Sequence, residues 1–231
     1  MESATPSIGL AVGHLFWKPN PMVDREATLA ALEQASEGED QLITVSMLGH
    51  KADLATMLLT KDQWRIRSLQ TALTAAGWEC VDSYMSLTET SEYSAGMPEE
   101  MQNARLYPTL PPEGKQAYCF YPMSKRRGET ENWFTLEFEE RKALMHEHGT
   151  SGRKFAGKVV QLISGSTGLD DFEWGVTLFC VSPDVVKEVV YTMRFDVASA
   201  KYAEFGTFYI GMVATPTEAL DSLGIGAENV E

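Results

Sequence analysis

The feature that most constrains the fold is an order of elements that occurs twice along the chain. Residues 8–16, IGLAVGHLF, read as a strand, and DREATLAALEQAS follows as a helix with Asp24 as its N-cap. QLITVSML and ADLATMLL, separated by the turn Gly49-His50-Lys51, read as two strands. Lys61 to Ala76 reads as a second helix closed by Gly77, and Trp78 to Leu87 as a further strand. From Gln116 onward the order returns: Gln116–Met123 a strand, Leu136–His148 a helix, Lys158–Ser164 and Phe172–Cys180 strands, Pro183–Arg194 a helix, and Gly206–Val213 a strand. Ser182 before Pro183 is a strong helix-start signal. Two βαββαβ units therefore account for the chain. The expected class is α+β: two ferredoxin-like halves, 1–115 and 116–231, packed with their helices outside as a dimeric α+β barrel within one subunit. The C-terminal PTEALDSLGIGAENVE reads as a frayed acidic tail.

Between the halves, Thr88 to Lys115 breaks the pattern with SAGMPEEM and YPTLPPEGK, rich in Pro, Gly and charge. It reads as a linker or as a cover over a site. The formal net charge of -14 argues against nucleic acid as a partner, because phosphate binding needs a basic face. No apolar run reaches the roughly 20 residues of a membrane span, and MESATPSIGL lacks the pattern of a secretion signal, so a cytoplasmic protein is expected. Cys80, Cys119 and Cys180, odd in number and set in apolar strands, suggest buried thiols rather than disulfides or a zinc site.

The chemistry concentrates between Cys119 and Gln161. Tyr121 ends an apolar run and is followed by Lys125, Arg126 and Arg127, the densest positive cluster of an acidic chain. Pro122 beside it cannot donate to a ladder and suggests a strand end or edge. A phenol beside three cations suits a ligand that carries carboxylates, although a solvated turn is the plain alternative. His14 in a strand and His50 in a turn read as structural. His146 and His148 are two apart on a helix and do not share a face, so they form no chelating pair. His148, placed at the expected helix end before Gly149, is the candidate ligand of an inner site. Arg194, at another helix end, offers a second carboxylate fork. Asp170, Asp171 and Glu173 alternate across a strand and do not converge, which points to turn and edge roles. A phosphate loop, a nucleophile elbow and a CxxC pair are all missing.

The segments CFYPMSKRR, ENWF, EHGTSGR, AGKVVQLISGSTGLDDFEWGVTLF and VVYTMRFDVASAKYAEFGTFYIG resemble the coproheme decarboxylases, closest to their actinobacterial branch, within the chlorite dismutase superfamily. The resemblance implies oxidative decarboxylation of two propionates of iron-coproporphyrin III by hydrogen peroxide, through a three-propionate intermediate, to haem b. The iron porphyrin is then both substrate and redox centre. It further implies His148 as the proximal iron ligand, Tyr121 as the residue that abstracts a propionate hydrogen, and Lys125 as a catalytic lysine at a propionate. Trp133 matches a tryptophan near the porphyrin, Arg194 and Ser199 match propionate contacts, and Gln161 matches a distal glutamine. A homopentamer and a transient contact with the coproporphyrin ferrochelatase are implied as partners. The segment 88–115 becomes a flexible loop at the substrate entrance, and a haem-binding or haem-delivery protein of the same fold is the alternative.

One departure stands out. Actinobacterial members use a distal His for peroxide cleavage, and this chain has no His between His50 and His146; Ala104, in QNARLYP, stands near that position. The position of the distal arginine of chlorite dismutases is Gln161 here, which argues against that activity.

Overall fold

Near-continuous apolar runs such as residues 11–17 and 54–60 give the central strands two buried faces. The computed structural model, which describes residues 2–94 and 96–226, shows how both are used. In the first half, β1 (Ala11–Pro19), α1 (Arg25–Ala35), β2 (Gln41–Leu48), β3 (Leu54–Thr60), α2 (Gln63–Ala75) and β4 (Trp78–Thr88) follow in the expected order. In the second, β5 (Ala117–Lys125), α4 (Phe138–Arg153), β6 (Val159–Gly165), β7 (Trp174–Cys180), α5 (Pro183–Met193) and β9 (Tyr209–Val213) repeat it. Asp24 caps α1 by accepting from the Ala27 amide, and Gly77 ends α2 with φ +97, which a side chain would strain.

All strand pairings between the named strands are antiparallel, and they close into a ring. The order β7-β6-β4-β1-β3-β2-β9-β5 is joined end to end by β5–β7 pairing, so the two sheets form one barrel. Closure leaves no long edge to template aggregation. The barrel interior is filled by Val12, Phe16, Val45, Met57, Leu59, Tyr118, Phe120, Leu162 and Phe179. Outside, α1, α2 and the C-terminal helix cover Leu15, Trp17, Leu54 and Leu58, while α5 lays Val185, Val186 and Val189 over Cys119, Leu178 and Cys180.

Several expectations need correction. Helix α4 does not stop at His148 but runs through Gly149 to Arg153. Gly149 keeps helical geometry, and the left-handed glycine that follows the helix is Gly157, φ +81. The segment after β9 is not wholly a frayed tail. Pro216–Ser222 forms helix α7, started by a reciprocal capping box of Thr215 and Glu218 and anchored by the fully buried Ala219 and Leu220. The final residues 227–231 lie outside the described residues. Pro122 is not at a strand end or edge. It sits inside β5, opposite the break between β8 (Ala203–Phe205) and β9, where only its carbonyl is called on, by the Gly206 amide.

The connection between the halves carries helix α3 (Glu99–Leu106) and is tied down at both ends. Thr88 Oγ1 donates to the Leu106 carbonyl, and Gln41 pairs with Pro108 and Leu110. At its other end Tyr93 stacks on Phe138 and its hydroxyl accepts from Arg141 of α4.

Inside the barrel His14 stacks on Phe120 with ring centroids 4.1 Å apart, and its Nε2 lies 2.9 Å from Thr177 Oγ1. Its Nδ1 is buried without a partner, and burial brings the imidazole down to about 3. The unfolded chain takes up this proton near pH 6.5 and the folded chain does not, so stability is full above about 6.5 and falls as pH drops toward 3. His14→Phe, which stacks without titrating, will flatten the acid limb of denaturant-derived stability by up to about 1.4 kcal/mol per pH unit. Identical pH slopes for parent and variant would exclude His14 as the acid-sensitive group.

Candidate functional site

The outer face of the second half's sheet is not fully covered. Side chains at Ala117, Cys119, Tyr121 and Met123 of β5, Val176 and Leu178 of β7, and Gln161 and Ile163 of β6 point away from the barrel interior. Helix α5 lies over part of this face. Helix α4 has no buried residue among its 16 and packs on α5 and on the short helix α6 (Val197–Ala200) rather than on the sheet. Its partly shielded positions Arg141, Leu144, Met145, His148 and Gly152 form one stripe at helical spacing. Gln161 and Ile163 remain exposed, Ile163 at 38%, as does Met212 on β9 at 46%. Leu144 and Met145 of α4 pack against Trp133, Ala198 and Tyr202, and the sheet face keeps Ile163 and Met212 exposed, an apolar surface open to a flat ligand.

His148 stands in that stripe. Its Nδ1 lies 3.0 Å from Asp196 Oδ2 and 3.4 Å from Ser199 Oγ. Asp196 caps α6, accepting from the Ser199 amide on its other oxygen at 2.9 Å. A carboxylate at Nδ1 makes that nitrogen the donor and leaves the lone pair on Nε2, which makes no hydrogen bond among the described residues. Burial lowers the His148 pKa against the opposing pull of Asp196, so the ring is neutral and able to bind a metal. His146, two residues back, is exposed.

Tyr121 is buried, stacked on Phe208 at 4.4 Å and edge-on to Phe205 at 5.7 Å, and its hydroxyl has no hydrogen-bond partner among the described residues. Burial raises its pKa well above that of a free phenol, with Arg194 pulling weakly the other way. The Arg194 guanidinium sits 4.7 Å over Phe205 at the end of α5 and forms no ion pair among the described residues.

The basic cluster splits. Arg126 pairs with Glu204 at 3.3 Å and Arg127 with the buried Glu173, so neither cation is free for a ligand. Lys125 alone turns inward. Its Nζ donates to the Ala198 carbonyl at 3.0 Å and lies 4.3 Å over the ring of Trp133, itself edge-on to Tyr202. Glu173, read above as an edge charge, is instead buried and accepts from the Lys125 amide at 2.8 Å.

The structure thus gathers His148, Ser199, Lys125 and Trp133 around α6, and Tyr121 with Arg194 around Phe205. Gln161 stands two strands from β5, about 10 Å across the same face. Ala104 is exposed on α3 and brings no acid or base. Sequence reasoning missed Asp196, although an Asp directly before VASA is an N-cap signal. Among the described residues no group of three or more His, Cys, Asp and Glu side chains is placed to hold a metal ion. An exposed apolar sheet face, one neutral imidazole, a cation without an ion pair among the described residues and a buried phenol fit an iron porphyrin that carries carboxylates.

Residues 24–214 match the family described as chlorite dismutase. The coproheme decarboxylase of Staphylococcus carnosus (strain TM300) is 43% identical over 204 residues, covering 84% of this chain and 80% of that protein. A protein of Natronomonas pharaonis named for heme binding is 41% identical over 230 residues, covering 87% of this chain but only 37% of that longer protein. Among solved structures, a heme-binding protein of Thermus thermophilus superposes with a TM-score of 0.83 at 34% identity, covering 96% of this chain and 97% of that one. This chain belongs to the chlorite dismutase family.

Proposed function

We propose that this chain converts iron-coproporphyrin III to haem b, turning two propionates into vinyl groups through a three-propionate intermediate. Each conversion consumes one hydrogen peroxide and releases one carbon dioxide. The observation that carries the reading is a neutral imidazole, His148, with Nδ1 held by Asp196 and Nε2 without a partner among the described residues, on the same half as a buried, unbonded phenol. The identity to the S. carnosus coproheme decarboxylase supports it.

With a porphyrin bound, His148 would hold the iron through Nε2, and the iron would supply the peroxide chemistry. Tyr121 would give its hydrogen atom to the peroxide-derived oxidant and take one from a propionate, whose second electron would pass to that oxidant as carbon dioxide leaves; burial keeps the phenol protonated, so that hydrogen is present at neutral pH. Arg194 neutralises a propionate carboxylate beside Tyr121. Lys125 and Trp133 form the floor near α6, and Ser199 steadies His148 from below. Gln161 faces the opposite side of the site, where it or a water assists peroxide. If Gln161 or a water serves in place of a positioned base, that step is slower by about 10² to 10⁴ fold. The second half, 116–231, carries the site, and assembly as a homopentamer, contact with the coproporphyrin ferrochelatase and a cytoplasmic location belong to the same reading. Among the described residues no helix is long and apolar enough to cross a membrane.

Incubation with iron-coproporphyrin III and stepwise hydrogen peroxide, followed by chromatography and mass spectrometry, will show loss of one and then two formic-acid equivalents. Tight binding with unchanged mass would replace the enzyme by a haem-binding or haem-delivery protein. Tyr121→Phe will keep coproheme and lose decarboxylation; haem b formed at the parent rate would remove Tyr121 from the reaction. His148→Ala will shift the Soret band and weaken retention of the porphyrin, and an unchanged spectrum would rule out His148 as ligand.

A further inference from the structure

We propose that a bulge in the second half, fastened from the first half by Lys51, is a positioning device for Tyr121, setting the Phe208 ring against the phenol. The inference rests on the reading of Tyr121 as the residue that takes a hydrogen atom from a propionate. It gives the first half, which contributes no candidate site residue, a part in that step. The strand register carries it. Strand β5 pairs Met123 with Phe205 of β8 and Phe120 with Tyr209 of β9. Between these pairs Tyr121 and Pro122 stand opposite three residues, Gly206, Thr207 and Phe208, one more than a regular ladder holds. In a regular ladder residue 208 would pair with Phe120 and face the barrel interior. The extra residue moves Tyr209 into that place, where it stacks on Phe16 at 3.7 Å, and leaves Phe208 on the outer face. Phe208 stacks there on Tyr121 at 4.4 Å, and Phe205 meets the same ring edge-on at 5.7 Å.

A bulge takes backbone groups out of the ladder, so other contacts must hold it. The Gly206 amide donates to the Pro122 carbonyl at 2.8 Å, and a Cβ at 206 would meet Phe172 and Pro122 at 2.7 Å. Lys51, in the turn between β2 and β3, donates from Nζ to the Phe208 carbonyl at 2.6 Å and lies 5.7 Å over the Tyr209 ring. The Tyr209 hydroxyl donates to Asp82 of β4. The carbonyl of Phe208 and the side chain of the next residue are therefore both held by the first half. The Tyr121 hydroxyl has no hydrogen-bond partner among the described residues, so ring packing sets the phenol's orientation. Transfer of a hydrogen atom depends steeply on that orientation.

The test reads Tyr121 by NMR in the ligand-free full chain carrying ring-13C tyrosine, its signal assigned as the one missing in Tyr121→Phe. Phe208→Leu sets the reference shift for loss of the stacked ring; if it fails to fold, Phe208→Met takes its place. Lys51 is exposed, so its replacement leaves the core intact. Lys51→Met will move the Tyr121 signal in the same direction as Phe208→Leu and by less, and Lys51→Arg, which keeps a donor, will hold it near the parent position. Lys51→Met added to Phe208→Leu will move it no further than Phe208→Leu alone, as expected for residues acting through one contact. With coproheme and hydrogen peroxide, Lys51→Met will slow haem b formation several-fold at unchanged coproheme affinity. A Tyr121 signal that Lys51→Met leaves unmoved, or a moved signal with haem b formed at the parent rate, overturns the proposal. Haem b formed at the parent rate by Tyr121→Phe would instead overturn the role of Tyr121 itself, a separate failure.

Discussion

Strand β5 is the constraint on which the rest of the structure depends, because both of its faces and both of its edges are committed. Its edges pair with β7 and β9 and so close the barrel. Its inner face places Tyr118 and Phe120 in the barrel core, and its outer face presents Cys119, Tyr121 and Met123 to the site. Period-two alternation ties these tasks together: a slip of one residue would turn Cys119 and Tyr121 into the core and carry Tyr118 and Phe120 out to the site face. The position of the phenol is thus set by the same register that closes the ring.

Against that rigid wall, α4 is held at a distance. It is anchored by α5 and α6 and, through Arg141, by Tyr93 and Glu92 of the connection, so its stripe need not pack on the sheet to be stable. The undercommitted face is where an apolar ligand gains most, since its burial removes exposed apolar surface on both walls at once. Asp196 then decides the character of His148. Burial alone would leave the imidazole neutral with either tautomer open, and the carboxylate at Nδ1 selects the one whose Nε2 is free. The thiols of Cys119 and Cys180, raised by burial to about 12 and about 11, stay protonated beside Tyr121 and present no nucleophile to an oxidant.

How much of this could be read in advance follows the range of each interaction. Asp24, Gly77 and Ser182–Pro183 act within one helical turn, and the helix boundaries they predict agree with the structure within a residue or two. The Pro216–Ser222 helix carries an equally local signal in Thr215 and Glu218 but was masked by the acidic, glycine-bearing stretch around it. Gly149 misled for the opposite reason. A glycine stops a helix only where it takes positive φ, and nothing local forces that when the neighbouring residues continue the helix and α5 and α6 brace it. Of the site residues, Tyr121, Lys125, His148 and Arg194 were visible as chemical types in suggestive places, whereas Asp196 and Glu173 became visible only through the partners they meet.

The sequence by itself determined the twice-repeated order of strands and helices and offered candidate residues with the chemistry for an iron porphyrin with carboxylates, because these depend on periodicity, capping and resemblance. Tertiary structure alone decided which strands join to close the expected barrel, that Arg126 and Arg127 are taken up by Glu204 and Glu173 while Lys125 turns inward, and that Asp196 meets His148 from 48 residues away. The physical reason is separation along the chain: pairing between charges and between strands far apart in sequence is set by where the barrel brings them, and no local pattern encodes that distance.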